Sequence, residues 1–225
     1  MVDEASRPLG VAATVVLLRD GAAGLEVLLL ERPRSRGSFA GAWVFPGGAL
    51  DPEDYGAVEL DEEDAARRAA VRETREETAL EVADNELIPV AVWSPPAQAP
   101  KRMRTWFYYA AAPAAGVLTL AADELIDFRW IRPADALDAH SAGKLELIPP
   151  TWVTLEGLTK ARNTFDALNW AKSTPVEHRH TRIASTRSTL LWEGDVAYLD
   201  DTLLDMEGAR HRLEISDLPW LYLKS

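Results

Sequence analysis

The chain of 225 residues contains no cysteine, and that absence removes disulfide bonds, thiolate metal sites and a cysteine nucleophile together. It fits a reducing compartment. Positive charge is also scarce: 24 Lys and Arg stand against 36 Asp and Glu, for a net charge of −12. A nucleic acid is therefore not the expected partner, because binding a phosphate backbone needs clustered cations. A small phosphorylated ligand stays open, since a divalent cation can supply positive charge locally. Long apolar runs are missing too. The weakly apolar stretch from Tyr108 to Ala122 is too short for a membrane span and is broken by Pro113 and Gly116. Residues 1–8 carry Asp3 and Glu4 without a signal-like apolar segment, so a soluble cytoplasmic protein is expected. No internal repeat or low-complexity linker divides the chain.

What is there suffices for a core: 47% of the residues are hydrophobic and 27% charged. Val11 to Arg19 and Leu25 to Arg32 are β-rich runs around a turn-like Asp-Gly-Ala-Ala-Gly, and read as a hairpin. A loop bearing Arg and Gly follows, and a short strand, Trp43 to Phe45, runs into Pro46-Gly47-Gly48. A helix is predicted over Glu62 to Thr78, with strands at Leu87 to Trp93, Met103 to Ala111 and Leu125 to Ile131. Pro149 and Pro150 open a second long helix reaching Ala171, with Trp152, Leu155, Leu158, Phe165 and Leu168 as its apolar stripe. That helix is expected to pack on the core or to form a dimer surface. Thr189 to Trp192 and Val196 to Leu199 read as a further hairpin about Glu193-Gly194-Asp195. The pattern predicts an α+β fold built as an α/β/α sandwich. Residues 10–140 form its core domain, and residues 141–225 a helical and hairpin extension packed on it.

The informative segment is Arg72-Glu73-Thr74-Arg75-Glu76-Glu77. Glu76 and Glu77 follow Glu73 at i+3 and i+4, so a helix carries all three carboxylates on one face, with Ala66, Ala69 and Ala70 preceding them. Two local terms oppose this. Like charges at that spacing cost roughly 0.2–0.5 kcal/mol per pair, and the cluster lies toward the negative end of the helix dipole. A local rule broken without visible compensation points to function. Hard oxygen ligands on a rigid face suit Mg²⁺ or Mn²⁺. Taken alone, the cluster reads more readily as a solvated face whose glutamates pair with nearby arginines, because acidic helices are common. The two glycines of Phe45-Pro46-Gly47-Gly48 add to the functional reading, since they allow backbone to approach a ligand or metal closely.

Together these pieces resemble the Nudix box, G-x5-E-x7-R-E-U-x-E-E-x-G-U, in which U is bulky and apolar. Arg72, Glu73, Glu76 and Glu77 match its core and Leu80 its final U. Thr74 stands at the first U, Ala79 at the late Gly and Asp64 at the isolated Glu. Gly48 and Arg72 lie 24 positions apart, so about ten extra residues, roughly 51 to 60, must loop out. The resemblance covers about Gly10 to Leu137 and implies the Nudix fold with a mixed sheet. It also implies roles: Glu73, Glu76 and Glu77 as catalytic metal ligands, Arg72 orienting Glu73, the Gly47 carbonyl as a further ligand, and Glu124 as a later ligand or base.

The segment ahead of the box resembles the coenzyme A diphosphatase-like subgroup, whose pattern is L-L-T-x-R-[SA]-x3-R-x3-G-x3-F-P-G-G. Leu28, Leu29, Arg32, Gly41 and Phe45-Pro46-Gly47-Gly48 match it; Leu30, Pro33 and Gly37 depart, with Arg36 beside the last. The resemblance implies a small nucleoside diphosphate substrate, coenzyme A or its acyl thioester. Arg32, Arg34, Arg36, Gly41, Phe45 and Gly48 would contact it, the arginines gripping phosphates in bidentate fashion. A diphosphatase for ADP-ribose, a dinucleotide or a nucleoside triphosphate is the alternative within enzymes. A non-catalytic Nudix-fold sensor is the alternative of another class. The remaining features are thinner: Lys101, Arg102 and Arg104 make a second basic cluster. His178 and His180 are expected to bind no metal, and Trp43, Trp93 and Trp106 are expected to pack in the core rather than stack a base.

Overall fold

Small side chains at positions 65, 66, 69 and 70 decide how the sheet is covered. The computed structural model describes residues 9–34, 39–56, 61–99, 102–114, 116–121, 125–185 and 188–225. In it α1 (Glu62–Thr78) lays those four buried alanines against β1 (Gly10–Gly21). The side-chain alternation of β1 then sorts two cores. Ala13, Val15 and Leu17 face α1 together with Leu28, Leu30 and Tyr108. Val16 and Leu18 point the other way, joining Val27, Leu29, Phe107 and Tyr109 beneath helices from the C-terminal part of the chain. This is the predicted α/β/α sandwich.

The sheet is mixed. β2 (Gly24–Glu31), β3 (Trp43–Val44), β5 (Ile88–Ser94), β6 (Met103–Ala111) and β8 (Glu177–His180) follow the order β3-β2-β1-β6-β5-β8. β4 (Gly47–Ala49) pairs with β1, and β7 (Asp127–Ile131) with β2. β1 runs parallel to β6, and β5 parallel to β8. The feature that positions the site is a divergence. β1 and β2 pair only near their turn, from Leu18–Val27 to Gly21–Gly24, and then separate. β3 lines the β2 side of the opening at Leu30 and Glu31, while β4 lines the β1 side at Ala12 to Thr14. The Pro46 carbonyl is fixed there, accepting from the Val15 amide at 2.9 Å and the Thr14 hydroxyl at 2.6 Å.

The C-terminal part departs from the sequence reading in two places. The long helix is two helices, α3 (Pro149–Leu158) and α4 (Thr164–Ser173). Asn163 starts the second by accepting from the Asp166 amide at 2.8 Å, and the Thr164 amide donates to Asp20 at 2.7 Å, which ties α4 to the β1–β2 turn. A new cap inside an apolar pattern splits it, so Phe165 is off the stripe and 73% exposed. The expected second hairpin is also absent. β10 (Thr189–Leu191) pairs with β9 (Arg182–Ile183) and with β11 (His211–Glu214), and β12 (Leu221–Lys224) completes the order β12-β11-β10-β9. Residues 193–200 instead wrap around the buried Asp195, which accepts from the amides of Ala197 and His211 and pairs with Arg212 at 2.6 Å. Among the described residues no helix is long and apolar enough to cross a membrane.

Two expected outcomes follow from these packing details. Ala79 caps α1 in the left-handed region, at φ 58° and ψ 11°. That conformation costs a residue with a Cβ roughly 1–2 kcal/mol, part of which glycine returns as unfolded-chain entropy. Ala79→Gly should therefore stabilise the protein by about 0.5–1 kcal/mol in a denaturant titration. The second outcome concerns pH. His140 ends α2 (Pro133–Ser141) edge-on to Trp220, and burial holds its imidazole below the ordinary 6.5 despite the Leu145 carbonyl at 3.1 Å. Burial moves His211 in the same direction. A depressed folded value means the unfolded chain takes up the proton first as pH falls. Their contribution is complete above about pH 6.5 and is lost as pH drops through the folded values. The unfolding midpoint should fall on that acid side, and a flat profile from about pH 7 to 5 would contradict it.

Candidate active site

The wedge between β1 and β2 brings backbone onto the acidic face of α1. The Gly47 amide donates to Glu77 Oε2 at 2.8 Å, and Glu77 is buried. Gly47 has φ 151°, and a Cβ there would overlap the Ala13 carbonyl oxygen and Thr14. At Gly48 a Cβ would lie 2.5 Å from the carboxylate carbon of Glu73. Both positions thus need glycine for different reasons, one for backbone conformation and one for approach to a glutamate. The three carboxylates differ in access: the Glu73 side chain is 15% exposed and that of Glu76 52%. Thr74, behind them, is fully buried and donates its hydroxyl to the Ala70 carbonyl at 2.7 Å, so the helix itself satisfies its polar group.

Arg72 is the hub of the face. Its Nη1 reaches Glu73 Oε1 at 2.8 Å and Glu76 Oε2 at 3.2 Å. Its Nη2 reaches Asp54 Oδ2 at 2.9 Å and the Ala49 carbonyl at 3.0 Å. Its Nε lies 3.3 Å from Asp54 Oδ1, and Asp51 stands 3.5 Å from Nη2. The hydrogen bonding of Arg72 to Asp54 is the largest influence raising its pKa above the ordinary value; burial works against it and Glu73 adds to it. Asp54 itself is only 5% exposed. It belongs to a 3-10 turn, Pro52–Tyr55. The sequence reading placed neither Asp51, Asp54 nor Thr14 in the site.

A family model of the NUDIX domain matches residues 8–150. The chain belongs to the Nudix family. The protein "Putative nudix hydrolase 7" of Caenorhabditis elegans is 26% identical, over 79% of this chain and 71% of its own length. Among solved structures, a NUDIX hydrolase from Alicyclobacillus acidocaldarius shares the fold with a TM-score of 0.65 at 24% identity, covering 76% of this chain and 98% of that one. The NUDIX domain of Shewanella oneidensis NrtR, solved with ADP ribose, gives 0.52 at 19% identity, covering 71% and 92%. The protein is thus a Nudix hydrolase, an enzyme of the family that hydrolyses nucleoside diphosphates linked to another moiety.

In this Nudix hydrolase the departures from the box have local explanations. Ala79 occupies the glycine position in the glycine-like conformation, Thr74 is neutralised by its own helix, and Asp64 is exposed in the first turn of α1, where negative charge suits the dipole. Nudix hydrolases use divalent metal ions. Among the described residues no three carboxylate or imidazole groups converge as a ready cage. Glu73 and Glu76 turn to Arg72, and Glu77 to the Gly47 amide. The donor set nonetheless fits Mg²⁺ or Mn²⁺: it is all oxygen, it lies on one rigid helix face, and the missing side chain of Gly48 lets the Glu73 carboxylate sit against the glycine turn.

The other expected site residues divide. Arg36 and Glu124 lie outside the described residues, as does Lys101. Arg32 and Gly41 close a loop through backbone bonds, Arg32 to the Ala42 carbonyl at 3.0 Å and Gly41 to the Arg32 carbonyl at 3.2 Å. Arg34 on that loop is 82% exposed and 3.6 Å from Glu31. Phe45, just after β3, has a buried ring edge-on to Phe107 at 6.3 Å. Arg104 pairs with Glu62, which also accepts from Trp106 at 2.9 Å, so that basic residue is used in holding the start of α1. Trp43 and Trp93 are core residues, and Trp106 stacks on Tyr108. His180 pairs with Glu193, and Arg179 is sandwiched near Trp93 and Trp192.

The two glycines should respond differently to a Cβ. Gly47→Ala meets rigid backbone and a disfavoured φ, and should cost about 1–3 kcal/mol of stability or more. Gly48→Ala meets the end of a glutamate side chain; it should fold near normally but lose roughly 10–100-fold in turnover by displacing Glu73. Thermal melts and initial rates on both variants check the split.

Proposed function

We propose that this Nudix hydrolase cleaves the diphosphate of coenzyme A or an acyl-coenzyme A, giving 3′,5′-ADP and 4′-phosphopantetheine or its acylated form. The observation that carries the hydrolytic part is the contact of the Gly47-Gly48 turn with Glu73 and Glu77. Glu73, Glu76 and Glu77, with the Gly47 carbonyl, would hold Mg²⁺ or Mn²⁺, and Arg72 would orient Glu73. Bound there, the cation supplies charge neutralisation of phosphate oxygens and a more acidic water. A glutamate of this face accepts the proton of the attacking water. One phosphorus–oxygen bond forms to that water, and the bond to the bridging oxygen breaks, leaving two phosphate monoesters. Glu124 is the candidate for a further ligand or base.

Support for coenzyme A comes from the segment that leads into the turn. Leu28, Leu29, Arg32, Gly41 and Phe45-Pro46-Gly47-Gly48 keep the spacing of the coenzyme A pattern. Arg34 is a largely exposed guanidinium on the same short loop. Arg32, Arg34 and Arg36 would meet the diphosphate and the 3′-phosphate, positive charge that an acidic protein otherwise lacks. Residues 10–140 would form the catalytic core, and residues 141–225 an extension that completes its sheet through β8.

A product assay with Mg²⁺ or Mn²⁺ tests this against coenzyme A, acyl-coenzyme A, ADP-ribose, NADH and nucleoside triphosphates. ADP-ribose belongs in the set because the Shewanella domain was solved with it. The expected result is 3′,5′-ADP from the parent and a loss of at least about 100-fold in Glu77→Gln. Cleavage of another substrate alone would overturn coenzyme A and keep the hydrolytic site. Tight ligand binding with no turnover would favour a sensor.

A further inference from the structure

The acidic helix covers one face of the sheet, and a separate cavity lies against the other. It holds about 450 Å³ and is bounded by α3, α4, β8 and β12, with Tyr109 of β6 as its floor. That size suits a small molecule, and such sites combine apolar walls with a few placed polar groups. We propose that this cavity is a second ligand site, taking a small molecule with one carboxylate on a flat apolar body. The proposal goes beyond the hydrolytic reading and does not depend on it.

The walls call for the flat body. Tyr109 is 4% exposed, and its ring lies 6.4 Å from that of Trp170 at an interplanar angle of 35°. Trp170 is half-exposed on α4, while Val153 and Leu158 of α3 are buried beside the cavity. Aromatic surfaces of this kind accept a further ring by offset or edge contact.

The other end of the cavity calls for the carboxylate. Arg179 Nη2 donates to Glu177 Oε2 at 2.7 Å, and Lys224 Nζ to Glu177 Oε1 at 2.9 Å. Burial opposes the ionisation of Glu177, yet the two cations hold it below the ordinary carboxylate range. Two positive charges thus share one negative charge. His211, 3.7 Å from Glu177, is pushed down by burial and adds no charge at pH 7. The remaining charges of the wall are matched, Glu156 by Lys160 at 3.7 Å and Asp166 by Arg162 at 2.6 Å. One positive charge is left over. Arg179 is 8% exposed; its Nη1 donates to the Tyr222 hydroxyl at 3.2 Å, and its Nε has no partner among the described residues. A donor stands ready as well. No described residue hydrogen-bonds the Tyr109 hydroxyl, and burial pushes that phenol up, so it keeps its proton despite the charge of Arg179. A phenol buried this far ordinarily has a partner. A ligand carboxylate supplies both missing terms, an acceptor for Tyr109 and a negative charge for Arg179 and Lys224.

The test is calorimetric titration of the full chain with 2-naphthoate. The parent should bind one equivalent with a Kd of about 0.1–1 mM, as expected for a ligand of that size. 2-Naphthamide, equally flat but uncharged, should bind at least about fivefold more weakly. Tyr109→Phe removes only a hydroxyl that no protein group uses. It should melt as the parent does and lose about tenfold in affinity. Lys224→Gln, at a half-exposed position, should lose about threefold. Glu77→Gln should bind the probe as the parent does, which separates the cavity from the acidic helix. Absence of saturable binding, equal affinity for the amide, or parent-like affinity in Tyr109→Phe overturns the assignment. So does loss of binding in Glu77→Gln, which would put the probe at the acidic face instead. Should Tyr109→Phe not fold, Lys224→Gln carries the test, and parent-like affinity there overturns it.

Discussion

The separation of β1 from β2 just beyond their shared turn is the constraint from which the rest of the site follows. Two strands that stayed paired along their length would leave no edge for other backbone. Because they diverge, β4 can pair with Ala12 to Thr14, and the Pro46 carbonyl can be held by Thr14 and Val15. That pairing aims the Gly47 amide at Glu77 and presses Gly48 against Glu73. The small alanines of α1 bring the helix close enough for both contacts to form. Sheet geometry, helix composition and glycine placement therefore serve one juncture.

The same juncture answers the electrostatic objection raised by three glutamates on one face. Their mutual repulsion is roughly 0.2–0.5 kcal/mol per pair in an exposed helix. A hydrogen bond involving a charged group contributes about 1.5–3 kcal/mol, more when screening is poor. Arg72 makes such bonds to Glu73 and Glu76, and the Gly47 amide makes one to Glu77. The attractive contacts are of larger magnitude than the repulsive ones, so the crowding of the three carboxylates is offset locally. Arg72 could not do this for two glutamates and also stay in place without the backbone carbonyl and the buried aspartate on its far side.

How much of this was legible depends on whether the signal was local. The helix over about Glu62 to Thr78 was readable because its alanines, glutamates and arginines all lie in one stretch. The glycine turn was readable because two adjacent glycines after a strand have few other uses. Asp54 was not. One aspartate in an acidic stretch looks like any other, and its place comes from a partner 18 residues away. The mistaken hairpin has the same origin, since β10 finds its partner in β11 across the Asp195 turn rather than in the next apolar run. The helix break at Asn163 depends on its side chain capping α4, which the continuous apolar stripe on either side concealed.

The C-terminal third bears on the fold from the other side of the sheet. β8 covers the edge of β5 that β6 leaves open, and an uncovered edge of that kind invites pairing with other chains. Arg179 on β8 lies 4.7 Å from the Trp93 ring and 5.5 Å from that of Trp192, joining the main sheet to the smaller one through cation–π contacts. Trp192, Leu190 and Leu213 enter the same core as Phe107 and Tyr109. The matched family region ends at residue 150, yet the core beneath the helices is completed by residues well beyond it. The acidic face belongs to the opposite side, where α1 packs. One face of the sheet thus carries the acidic helix, while residues beyond the matched region supply much of the packing of the other.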